Sequence, residues 1–216
     1  MSRKVLFIVA AVVLVAGFIV AALVYNTASI GRQGAAAVAH PEVFTRDHGP
    51  VLGNAEAKVL IVEFLDPACG TCAQFYPLVK RLMAGYPGKV RLSVRHLPLH
   101  AGSEEVVLAL VASRKQGRYW QTLEALFAAQ DRWVSNHVAS IDSAWGVMAA
   151  SGLNMEQLRA DMNDPEVVRR VALDKADAQA LGVKQTPEYF VDGHPLLKFG
   201  FDQLSDLVEQ AVKAAY

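Results

Sequence analysis

The chain's only two cysteines occur as Cys69-Gly70-Thr71-Cys72, and the residues on either side constrain the fold more than any other feature. Upstream runs Val59-Leu60-Ile61-Val62-Glu63-Phe64-Leu65. This run is short, β-branched and bounded by polar residues, which predicts a buried strand. Downstream, Phe75, Leu78, Val79 and Leu82 recur at helical spacing, which predicts a helix over residues 73–83, bent at Pro77. The pair therefore sits at a strand-to-helix junction, with Cys69 at or just before the first helical turn.

That placement has direct chemical consequences. A helix N-terminus offers unsatisfied N–H groups and the positive end of a dipole, and both favour a thiolate over a thiol. A cysteine held there is a good attacking and a good leaving group in disulfide exchange. Two intervening residues, Gly70 and Thr71, let the sulfurs meet across one turn, so the pair can cycle between dithiol and disulfide. The expectation is an exposed nucleophile at Cys69 and a more buried resolving thiol at Cys72. Half a zinc site is the competing reading, but it needs a second Cys or His pair. There is no second cysteine pair, and His96 and His100 are the only close-spaced histidines. Ala73 follows the second cysteine, so the haem-attachment pattern is absent. The motif reads as redox chemistry rather than as a metal site, and no cofactor is expected.

The 216 residues suffice for one ordinary domain with additions. Basic and acidic residues balance at 21 each, which gives no argument for a nucleic-acid partner. Residues 5–24 form an uncharged apolar run, VLFIVAAVVLVAGFIVAALV, about the length that spans a bilayer as a helix. Arg3 and Lys4 precede it, and the next basic residue is Arg32. By the positive-inside bias, the rest of the chain lies on the exported face. An uncleaved inner-membrane anchor over residues 1–25 is favoured over a cleaved signal, whose apolar core is normally shorter, about 7–15 residues. Cleavage would leave a soluble periplasmic protein. Either way the cysteines meet an oxidising compartment.

Residues 26–48, rich in Ala, Gly, Ser and Thr without a sustained period, read as a linker. The domain proper is expected over 49–216, opening with a turn-rich stretch at 49–57. Residues 90–96 alternate apolar and polar and predict a second strand, parallel to the first through a βαβ unit. Helical signals then fill an insertion over about 101–182. Its helices are expected to begin at Ser103, near Trp120, at Ile141, at Asn154 and at Asp164-Pro165-Glu166. Strand character returns at residues 188–191. Asp192-Gly193 signals a tight hairpin, with its partner strand expected at 196–199. A final amphipathic helix carries Leu204, Leu207, Val208 and Val212.

Four features in order resemble the thioredoxin superfamily, and within it the DsbA-like exported thiol–disulfide oxidoreductases. They are Phe64-Leu65-Asp66-Pro67-Ala68-Cys69-Gly70-Thr71-Cys72 after a strand; Pro77 five residues past the second cysteine; Thr186-Pro187 followed by a strand and Asp192-Gly193; and a helical insertion between the two halves. The resemblance covers about residues 50–214. It implies an α/β thioredoxin fold, a central mixed sheet flanked by helices, with an all-helical insertion. It also implies a cis Thr186-Pro187 bond facing the cysteines, whereas X–Pro bonds in general are cis in only about 5–6% of folded cases. The Thr186 backbone would pair with an extended substrate chain. Glu63, inside an apolar strand and so expected to be buried with a raised pKa, would accept or relay the proton of the buried cysteine. Asp66 and Glu188 are read as solvated loop acids near the site, His96 and His100 as lacking enough companions to hold a metal, and the tryptophans as core.

The function implied is a cell-envelope thiol–disulfide oxidoreductase that exchanges a Cys69–Cys72 disulfide with substrate protein thiols, in the oxidising direction, and is restored by a membrane redox partner. Two alternatives stay open. One is a reductase or isomerase built on the same residues. The other is a non-catalytic module that binds a partner, or Cu(I), through the thiolates.

Overall fold

In the computed structural model, which describes residues 2–216, the chain opens with one long helix, α1 (Arg3–Ala39). Its segment Phe7–Tyr25 is, among the described residues, the one helix long and apolar enough to cross a membrane, and none of it is buried in the protein. The stretch expected to be a linker is instead helical as far as Ala39. The physical reason is cooperativity: a helix already nucleated upstream extends by one bond per residue, and Ala28, Ala35, Ala36, Ala37 and Ala39 have the highest propensity to extend it. Ala37 is buried against the domain. A single turn, α2 (Glu42–Thr45), follows.

The turn-rich entry contains a short edge strand, β1 (Val51–Gly53). The apolar run forms β2 (Val59–Leu65), the active-site helix is α3 (Gly70–Ala84), and β3 (Val90–His96) lies parallel to β2 from Val59↔Val90 to Leu65↔His96. Every β2 residue except Leu60 is buried, as a central strand covered on both faces requires. The insertion comprises α4 (Ser103–Ala112), a 3₁₀ turn at Ser113–Gln116, α5 (Tyr119–Ala128), α6 (Ile141–Ala149), α7 (Met155–Asp161) and α8 (Pro165–Ala180). It is not all-helical. A hairpin of β4 (Val134–Ser135) and β5 (Val138–Ala139) interrupts it, turning at Asn136 and His137, both at positive φ.

Side-chain caps from Ser140, Asn154 and Asp164 start α6, α7 and α8. Ser103, expected as a cap, is instead the first residue of α4 after Gly102, and its hydroxyl is used elsewhere. β6 (Glu188–Val191) pairs antiparallel with β2, and β7 (His194–Pro195) follows the Asp192-Gly193 turn directly, two residues before the position expected. The order of the five-stranded sheet is β1-β3-β2-β6-β7. The last helix, α9 (Phe201–Ala215), buries Leu204, Val208 and Val212 on one face.

Candidate active site

β2 ends at the sheet's centre, and the chain turns through Asp66, Pro67 and Ala68 into α3. Cys69 is the N-cap residue of that helix, with extended backbone (φ −77°, ψ 117°). In this position its sulfur accepts the Cys72 backbone N–H at 3.4 Å. Both cysteines are free thiols, and Cys69 Sγ–H donates to the Thr186 carbonyl at 3.1 Å. The Thr186-Pro187 bond is cis, and this loop covers the sulfur. Cys69 is consequently not openly exposed: it retains 6% of its surface, against none for Cys72. The order of accessibility is as expected, the degree is not.

The two sulfurs are driven apart electrostatically. The thiol of Cys72 donating to Cys69 is the main reason the Cys69 pKa falls to about 5; the Cys72 and Thr71 backbone N–H groups and Thr186 add to it, against partial burial. For Cys72, burial, followed by its bond to Cys69 and the nearby Glu63, pushes the pKa well up. Glu63 faces the same interior. It is fully buried, Tyr189 Oη–H donates to its Oε1 at 3.0 Å, and its Oε2 has no protein partner. Desolvation raises its pKa to about 8 despite the tyrosine. Glu63 and Tyr189 are register partners across β2 and β6, which is how Tyr189, not singled out in the sequence, reaches the site.

Gly70 is exposed, and a Cβ there would meet only Gln130 Oε1 at 3.8 Å, so glycine is not sterically demanded. Thr71 lines a cavity of about 220 Å³ with Gln185, Thr186, Pro187 and Phe199. Phe199 lies outside any strand or helix and packs on Phe75 with ring centroids 4.5 Å apart. Periodicity gives no signal for such a residue.

The acids read as solvated are not solvated. Asp66 is fully buried and Glu188 is 6% exposed. Burial raises the Glu188 pKa, and Gln33 of α1 donates to its Oε1 at 3.2 Å. His96 and His100 do not converge: His96 lies between Asp174 Oδ2 (3.0 Å) and Tyr119 Oη (2.8 Å), and His100 Nδ1 bonds Asp66 at 2.8 Å. Of the tryptophans, Trp133 is core, while Trp120 and Trp145 pack partly buried against it.

The family model described as Thioredoxin matches residues 45–210. The chain belongs to the thioredoxin family. A solved thioredoxin-like oxidoreductase from Silicibacter pomeroyi DSS-3 is 36% identical, with a TM-score of 0.71, covering 80% of this chain and 97% of that one. BdbD from Bacillus subtilis shares the fold at 22% identity and a TM-score of 0.67, covering 77% of this chain and 94% of its own. These neighbours share with the chain the thioredoxin fold carrying a helical insertion. The Na(+)/H(+) antiporter NhaA of Herminiimonas arsenicoxydans is 33% identical over 156 residues, 72% of this chain and 23% of the antiporter. The chain thus spans about a quarter of the length of the curated relatives it matches.

Proposed function

We propose that this thioredoxin-family protein is a thiol–disulfide oxidoreductase of the cell envelope, working in the oxidising direction. In this reading a substrate thiolate attacks Cys69 Sγ of the Cys69–Cys72 disulfide. A substrate–Cys69 bond forms, the Cys69–Cys72 bond breaks, and Cys72 departs as a thiolate. Its raised pKa makes it a strong base, and Glu63, protonated below about pH 8, is the buried acid placed to return a proton to it. The substrate's second thiolate then attacks the substrate sulfur of the mixed disulfide and releases Cys69 as a stabilised thiolate. Two electrons pass from the substrate dithiol to the cysteine pair. The Thr186 carbonyl, which the protonated Cys69 thiol bonds, is free whenever Cys69 is a thiolate or in a disulfide and can then accept an N–H from an extended substrate backbone.

The observation that carries the direction is the low Cys69 pKa at a helix cap. Stabilising the thiolate stabilises the reduced enzyme, and a stable reduced form makes the disulfide a strong oxidant. Equilibration with glutathione tests it: a potential near the DsbA end, about −120 mV, supports an oxidase, and one near thioredoxin's, about −270 mV, reverses the assignment to a reductase. The apolar Phe7–Tyr25 helix behind Arg3 and Lys4 supports an inner-membrane anchor with the domain on the periplasmic face. A membrane redox protein that accepts the two electrons completes the cycle.

A further inference from the structure

The turn that delivers Cys69 to the helix is held by one side chain to which no part of the exchange chemistry assigns a role. We propose that Asp66 is a positioning residue for Cys69: its carboxylate clasps the 66–69 turn to the segment leading into α4, and this clasp holds Cys69 in its capping geometry. The inference rests on the exchange reading above and adds a residue to it.

Asp66 is fully buried, and its carboxylate accepts four hydrogen bonds and a share of a fifth, from the Ser103 hydroxyl, which also reaches the His100 carbonyl at 2.8 Å. Oδ1 takes the Ala68 N–H at 2.9 Å, closing the turn on itself. Oδ2 takes the Leu99 N–H (2.8 Å), the His100 N–H (3.0 Å), His100 Nδ1 (2.8 Å) and Ser103 Oγ (3.1 Å). The backbone of the same residue reaches Cys69. Its carbonyl accepts the Cys69 N–H at 3.0 Å, which ties the clasped turn directly to the nucleophile's backbone. Gln130 of the insertion adds a second hold, donating to the Pro67 carbonyl at 2.8 Å. Bonds to a carboxylate are about twice as strong as neutral ones, so the turn is held firmly to the segment that enters α4. The extended φ and ψ of Cys69, which let its sulfur receive the Cys72 N–H, follow from where this turn ends.

Asp66→Asn separates a clasp from a charge effect, because the two predict opposite signs. Asparagine retains one acceptor oxygen but sets an NH₂ group against donors, which loosens the turn. Removing a negative charge near the sulfur would instead ease thiolate formation. The measurement is the pH titration of Cys69 thiolate absorbance in the reduced full-length protein, beside its equilibrium with glutathione. The clasp predicts a midpoint raised by about one unit and an equilibrium shifted roughly tenfold towards the disulfide, which is about 30 mV more reducing. An unchanged or lowered midpoint overturns the proposal, including the case in which only the melting temperature falls. Should Asp66→Asn not fold, Ser103→Ala removes one donor far from the sulfurs; a midpoint raised by a few tenths is expected, and no movement overturns the proposal. A wild-type midpoint near 8.5, the free-cysteine value, would instead sink the exchange reading on which the proposal depends.

Discussion

Glu63 makes the site expensive. Its pKa is about 8 in the fold against an ordinary 4.5 for a solvated glutamate, so the unfolded chain ionises first as pH rises and stability falls between those two values. The penalty is absent below about pH 4.5 and complete above about 8. Glu63→Gln should therefore stabilise the protein by an amount that grows with pH, roughly 3 kcal/mol at pH 7 as an upper figure, while slowing exchange. Urea melts at pH 4.5 and pH 8 check it, and an equal gain at both would show that ionisation is not the source. Cys69 acts with the opposite sign. Its pKa is lowered to about 5 from 9.0, so its contribution to the reduced form is full above about pH 9 and is lost as pH falls through 5. Melts of the reduced protein should show this contribution shrinking from pH 8 to pH 4, and the Cys69→Ser protein should lack that part of the pH dependence. The burial of Glu63 was legible because a lone acid interrupts a β-branched run. That of Asp66 was not, since Leu99, His100 and Ser103, which fill its valences, lie more than thirty positions away.

Among elements, legibility followed length and punctuation. The seven-residue strands β2 and β3 and the Asp164-Pro165-Glu166 start of α8 carry a period or a cap that single residues announce. The hairpin β4–β5 has two residues per strand, too few for any period, and exists because its partners lie elsewhere. Ala139 N–H donates to the Ala101 carbonyl at 2.8 Å, and Ala101 bridges Val138. Gly102 permits this contact. It sits at φ 76°, and a Cβ there would lie 2.2 Å from the Ala139 carbonyl oxygen. Gly102→Ala should therefore destabilise the protein by roughly 2–3 kcal/mol through strain and displaced backbone together. Thermal melts give the size, and hydrogen exchange at residues 134–139 should rise first. A loss within about 0.5 kcal/mol, the ordinary surface value, would mean the hairpin is not docked through this glycine.

At the scale of the whole molecule, three separate stretches meet on one buried carboxylate, and a fourth joins them through His96. Asp174 of α8 receives His48 Nε2 at 2.6 Å from the segment before β1, and the His96 N–H (2.8 Å) and Nδ1 (3.0 Å) from β3; His96 Nε2 in turn meets Tyr119 of α5. Arg95 lies beside it and donates to the Arg46 carbonyl at 2.9 Å, while Arg46 holds Asp177. The insertion, the sheet and the chain descending from α1 are thus tied at one point. Burial would raise the Asp174 pKa, but the bonds from His48 and His96 outweigh it and lower the value to about 2. Its stabilisation is therefore complete above about pH 4 and is lost as pH falls through 2. Asp174→Ala removes the shared acceptor of His48 and His96 and the counter-charge beside buried Arg95, and should destabilise by about 3–5 kcal/mol at neutral pH. It should also flatten the acid-unfolding curve between pH 4 and 2. Asp177→Ala should cost less, because its partner Arg46 is 30% exposed. The largest causes that lower the Cys69 pKa are its bonds with Cys72, Thr186 and Thr71, and Asp174 is not among them, so the Cys69 titration of folded Asp174→Ala protein should coincide with wild type. A shifted midpoint would mean that this polar core and the thiolate site are one mechanical unit rather than two.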